Sequence, residues 1–123
     1  MNAELKVTDR SFIFAVRIVK LCKFLEKQGR VSRTLANQLL RSGTSIGANV
    51  EEAQAGQSKA DFIAKMSIAR KEARETHYWL RLLIESQIVP ENQLSDITTE
   101  ADEIIRILTA IVKTSQTRQK NEE

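Results

Sequence analysis

From Leu94 to Ile111 the residues Leu94, Ile97, Ala101, Ile104, Leu108 and Ile111 follow one another at steps of three, four, three, four and three. That rhythm keeps every member on one face of a 3.6-residue helix and cannot keep them on one face of a strand, whose side chains alternate with period two. Ile105 and Val112 widen the face. The same reading applies upstream. Phe14, Ala15, Ile18, Leu21, Cys22 and Leu25 mark a helix from about Asp9 to Gln28. Leu35, Leu39, Leu40, Ile46 and Val50 mark a second beginning near Ser32, and Phe62, Met66, Ala69, Ala73, Leu80 and Ile84 a third ending near Glu85. No segment shows strand alternation, and one Pro and four Gly leave few places to break. Four helices joined by short connections predict an all-α, antiparallel up-and-down four-helix bundle, a single domain over residues 1–123.

The expected ends follow from capping chemistry. Asp9 or Ser11 suits the first N-cap, and Gly29 the left-handed position past the first helix. Ser32 suits the second start, Ser58 with Asp61 three residues on suggests a weak capping box, and Pro90 fits the first turn of the last helix. The polar tail from about Thr114 is expected to fray. Gly43 and Gly47 either interrupt the second helix or let it pack closely. Their spacing of one turn among Ser and Ala favours close packing, with Asn49 bonding across the contact. No strand precedes them and no Gly-Lys-Ser/Thr follows, so a phosphate loop is not indicated.

Composition closes several functional classes. One Cys cannot form an internal disulfide framework or a zinc site, and one His limits imidazole chemistry equally. Cys22 falls on an apolar face and reads as a core thiol. The residue three before His77 is Arg74, so the Glu-x-x-His pairs of di-iron bundles are missing. No metal or cofactor site is expected. No apolar run is long enough for a membrane span and the N-terminus lacks a secretory apolar region, so the chain reads as cytoplasmic. One enzyme-like pattern survives: Arg70 and His77 match the loose Arg-x(4–6)-His spacing of HEPN-like ribonucleases, in which Arg would hold a phosphate and His act as acid or base. The pattern is weak in a helix rich in Arg, and a lone His on the seam side is more often a hydrogen-bonded core residue than a catalyst.

Charge is uneven. Residues 1–41 hold nine Lys/Arg and three acids, a local excess of six positive charges, whereas the remainder holds ten basic and thirteen acidic groups. Arg10, Arg17, Lys20 and Lys27 fall within about a 100° arc of the first helix, opposite its apolar seam, with Lys23 nearby. Arg70, Arg74 and Arg81 form a stripe on the third, where Glu85 is placed to pair with Arg81. These faces read either as solvated surface or as contacts for the phosphates of RNA or DNA. No aromatic-interleaved, base-reading surface is evident, so binding is expected to be backbone-directed and salt-sensitive. Apolar surface is in surplus as well. Ile68, Trp79 and Leu82 lie to one side of the third helix's seam among Glu72 and Glu75, and Phe12 and Val16 edge the basic face of the first. They read either as one broad inward stripe or as the interface of a homo-oligomer.

Between Leu39 and Leu83, the Arg41–Ser42 pair, the run Ser45-Ile46-x-Ala48-Asn49-x-x-Glu52-Ala53 and the run Glu72-x-x-Glu75-Thr76-x-x-Trp79-Leu80 stand together. As a set they are highly specific. They resemble a bacterial family of four-helix bundle proteins related to those encoded in intervening sequences of large-subunit ribosomal RNA genes. The accessory variability determinant of diversity-generating retroelements is a relative, and the likeness extends less specifically over the first and last helices. The resemblance implies a homopentameric barrel of bundles with a basic surface and an accessory role binding RNA or DNA, in retroelement relatives together with a reverse transcriptase. It implies no catalytic residues. The alternative classes are a protein-interaction scaffold indifferent to nucleic acid and the ribonuclease using Arg70 and His77.

Overall fold

The computed structural model describes residues 6–122, so the first five residues, Glu4 of the charge count among them, lie outside it. Four helices follow in order: α1 (Val7–Glu26), α2 (Arg30–Gln54), α3 (Lys59–Glu85) and α4 (Glu91–Glu122). Each packs against its neighbours in sequence and α1 closes the ring on α4 over a shorter stretch, which makes α1 and α3 diagonal partners. This is the up-and-down bundle the periodicity calls for. Phe14, Ile18 and Leu25 of α1 meet Leu39, Ile46 and Val50 of α2, Met66, Leu80 and Leu83 of α3, and Ile104 and Leu108 of α4 in one buried core.

α2 runs unbroken through both glycines. A Cβ at Gly43 would stand 2.8 Å from Ile18 Cγ2, and one at Gly47 would stand 3.3 Å from the Ser11 carbonyl oxygen. Missing side chains therefore seat α1 on α2. Asn49 does not bridge that contact; its amide donates to the Ser45 carbonyl of its own helix at 2.8 Å. That bond is local and orders nothing between the helices.

The ends differ in part from their sequence signals. Ser58 caps α3 as expected, accepting from the Asp61 N–H at 3.1 Å. At α1 the cap position is Lys6, without a side-chain bond, and Asp9 and Ser11 lie inside the helix. Gly29 is the N-cap of α2 at φ 114°, a backbone shape that penalises a Cβ, and Ser32 is buried in the first turn. Pro90 stands one residue before α4. α3 closes in a Schellman turn: Ile88 N–H reaches the Leu83 carbonyl at 3.1 Å and Gln87 N–H the Ile84 carbonyl at 3.0 Å. Its left-handed residue, usually Gly, is Gln87 at φ 62°. The tail past Thr114 does not fray but continues α4 to Glu122, which pairs with Lys59 at the start of α3.

Candidate nucleic-acid interface

On α1, Lys20 and Lys23 are exposed and Arg17 half-buried, and Lys27, also exposed, is the C-cap residue at its end. Among the described residues the ion pairs are made by Arg10, Arg41, Lys59 and Arg106, and none of those four α1 cations takes part. With no carboxylate partner among the described residues, they maintain a positive potential along the helix.

Arg10 departs from the expectation that it belongs to this face. It is 6 % exposed, and its guanidinium donates to Glu100 at 3.0 and 2.7 Å and to Glu103 at 2.7 Å. Hydrogen bonds to those two carboxylates push its pKa further up, so the charge is permanent and already matched. Arg10 joins α1 to α4; it does not offer a free cation.

On α3, Arg74 and Arg81 are exposed and Arg70 half-buried. Glu85 does not pair with Arg81 among the described residues; the Arg81 guanidinium lies instead 6.0 Å from the Tyr78 ring centroid, within cation–π reach. His77 is half-buried seven residues from Arg70, about 10 Å along the axis. The two basic faces do not meet. They ride on diagonal helices, separated on one side by α4, whose Glu100 and Glu103 hold Arg10 and whose Asp102 holds Arg106 at 3.0 Å.

The surplus apolar residues sort by exposure. Phe12 is 60 % exposed, Val16 38 % and Ile68 40 %, while Trp79 and Leu82 are half-buried. Trp79 packs on the core and donates its indole N–H to Glu75 at 3.3 Å. Two exposed rings escaped the sequence reading: Phe24 on α1 at 48 % and Tyr78 on α3 at 49 %. Both lie off the inward seams, and an apolar residue there is visible in the helical arithmetic but easily discounted.

The motif residues are occupied elsewhere. Arg41 of α2 reaches Glu72 of α3 at 3.3 Å and pairs with Glu75, and Thr76 Oγ1 lies 2.9 Å from the buried Ser42 Oγ and 2.8 Å from the Glu72 carbonyl. They tie α2 to α3. Burial pushes the Cys22 thiol up to about 11, with a lesser contribution from Glu26, and its S–H faces the Ala36 carbonyl at 3.4 Å. It is a core thiol. No group of three or more potential metal ligands forms among the described residues, and none of their helices is long and apolar enough to cross a membrane.

Comparison with known proteins places this geometry. Residues 3–110 match the family model described as 23S rRNA-intervening sequence protein. A crystal structure of a protein of unknown function from the S23 ribosomal protein family of Bacteroides thetaiotaomicron superposes with a TM-score of 0.82. It is 49 % identical, over 88 % of this chain and 99 % of that one. No curated protein matches the sequence.

Proposed function

The chain belongs to the 23S rRNA-intervening sequence protein family, and from that premise we propose a non-enzymatic accessory protein that self-associates and binds the phosphate backbone of RNA or DNA. The observation carrying the proposal is the run Arg17, Lys20, Lys23 and Lys27, cations without carboxylate partners among the described residues. Arg70, Arg74 and Arg81 form a second contact on α3. Arg10 is left out because Glu100 and Glu103 hold it. Self-association rests on Phe12 and Val16 of one copy and Ile68, Trp79 and Leu82 of the next. These patches lie on diagonal helices, which favours a head-to-tail contact, and the family likeness favours its closing into a ring of five subunits.

Light scattering with a gel-shift near physiological salt tests both halves. Replacing Arg17, Lys20 and Lys27 by Glu weakens binding of all sequences alike and flattens the dependence on salt, since fewer counterions are released. Unchanged affinity removes α1 from the site, and a monomeric mass removes the ring. An oligomer that shifts no nucleic acid is instead a protein scaffold.

A further inference from the structure

The two basic faces share a pattern that neither charge nor family membership requires. Lys20 on α1 and Lys27, the C-cap residue at its end, stand four residues before and three after Phe24; on α3, Arg74 and Arg81 stand four before and three after Tyr78. On a helix those offsets place one cation a turn above each ring and one a turn below, on the same side. Phe24 is 48 % exposed and Tyr78 49 %, so part of each ring meets solvent between two cations, although the Trp79 ring already packs against Tyr78 with centroids 5.1 Å apart. Arg81 already leans over Tyr78 at 6.0 Å. An exposed aromatic ring is costly to leave in water, and one bracketed by unpaired cations has a natural occupant: a flat, apolar-faced group carrying anions on both sides.

We infer that Phe24 and Tyr78 are stacking sites for unpaired bases, and that the nucleic acid this chain takes is single-stranded. The inference rests on the backbone-binding reading above and names its substrate. Bases within a duplex have both faces covered by their neighbours, so a protein ring cannot reach them, whereas a single strand turns its bases out while its phosphates track the cations. The flanking cations are seven residues apart, about 10.5 Å along the axis, so each triplet holds the backbone on either side of one stacked base. Ring stacking tolerates every base, which matches a surface without a hydrogen-bonding pattern to read sequence. A lipid surface fits less well. α1 also exposes Phe12, Ile13, Val16 and Val19 beside its cations, but diagonal helices cannot both lie on one flat bilayer, so a membrane could take at most one of the two triplets.

Fluorescence anisotropy with a labelled oligouridylate of about 20 nucleotides, against a duplex of equal length near 0.1 M salt, tests the assignment. The single strand binds more tightly than the duplex. Phe24→Ala and Tyr78→Ala each weaken it by between about 5-fold and about 150-fold and leave duplex affinity in place. Phe24→Tyr and Tyr78→Phe retain it, while Phe24→Leu and Tyr78→Leu, which preserve apolar bulk, behave as the alanine variants. The single tryptophan, Trp79, has its ring centroid 5.1 Å from that of Tyr78, so its emission changes on single-strand binding and the change disappears in Tyr78→Ala. If both alanine variants bind the single strand as wild type does while Lys20 and Lys27 charge reversal still weakens it, stacking is overturned and backbone binding survives. Binding neither oligonucleotide overturns both. Capture by vesicles one-quarter phosphatidylserine, without oligonucleotide binding, overturns both and gives the face to a membrane.

Discussion

Adding one methyl group to α2 separates two glycines that look equivalent in sequence. At Gly43 a Cβ meets Ile18 Cγ2 at 2.8 Å, Cγ1 at 2.9 Å and Cβ at 3.2 Å. Ile18 is fully buried, and a β-branched residue in a helix has essentially one rotamer, so it cannot turn aside. Relief requires α1 and α2 to move apart, an overpacking cost of about 1–3 kcal/mol. Replacing Gly by Ala in a helix interior returns about 1 kcal/mol, so Gly43→Ala loses about 1 kcal/mol net, or about 3–5 °C in Tm for a domain of this size. At Gly47 the nearest atoms stand at 3.3–3.4 Å. A shift of a few tenths of an ångström accommodates the methyl there, so Gly47→Ala is neutral or slightly stabilising. Urea unfolding followed by circular dichroism, at one fixed protein concentration because self-association adds apparent stability, ranks the three proteins. Ile18→Ala supplies the control: alone it costs about 2–5 kcal/mol, but with Gly43→Ala it gives the new Cβ room, and the pair costs about 1 kcal/mol less than the sum. Gly43→Ala at least as stable as Gly47→Ala, or strictly additive with Ile18→Ala, refutes the close approach.

Three further outcomes follow from other contacts. Arg10→Met leaves Glu100 and Glu103 without their cation, so it lowers unfolding free energy by about 1–3 kcal/mol while oligonucleotide affinity holds; loss of affinity in a stable variant would return Arg10 to the binding face. Gln87→Gly removes the left-handed penalty at φ 62° and stabilises by about 1 kcal/mol in the same unfolding assay. The Cys22 thiol, raised from 9.0 to about 11, stays protonated in the fold at a pH where the unfolded chain ionises. Stability therefore falls as pH rises from about 9 to about 11, by at most about 3 kcal/mol, a fall that Cys22→Ala lacks, and Ellman's reagent labels the native thiol slowly at pH 8.

The helices and most of the core were legible because burial on a helix is a matter of angle. Leu94, Ile97, Ala101, Ile104 and Leu108 are all buried as their spacing requires. Two misses sit where the angle drifts: Val112 is buried while Ile111 is half-buried, and Leu83 is fully buried in place of Ile84, because a straight helix slips against a 3.5-residue repeat; a third is Leu40, 38 % exposed beside the buried Leu39. Composition misled at the tail. Thr, Ser, Gln, Lys and Arg look unstructured alone, but a helix already nucleated needs only one more hydrogen bond per residue to continue, and Lys59 pairs with Glu122 near its end. The charges were least legible. Arg10 looks identical to Arg17 on a helical wheel, and what distinguishes them lies 90 and 93 residues further along the chain.

That difference bears on what family membership can carry. Arg41, Ser42, Glu72, Glu75, Thr76 and Trp79 make the sequence recognisable; the first five are engaged between α2 and α3, and Trp79 donates to Glu75 within α3. Glu72 is 8 % exposed and Ser42 and Thr76 are fully buried, so a ligand reaches none of these three without opening the bundle. A signature of this kind transmits an architecture, since removing one partner of a buried polar pair leaves the other unsatisfied. It says nothing about the exposed surface, where Lys20, Phe24, Lys27, Arg74, Tyr78 and Arg81 lie outside the buried core. Two members can therefore share the bundle and differ in what they hold. Transplanting the two surface triplets, not the motif, is the change expected to move single-strand binding from one family member to another.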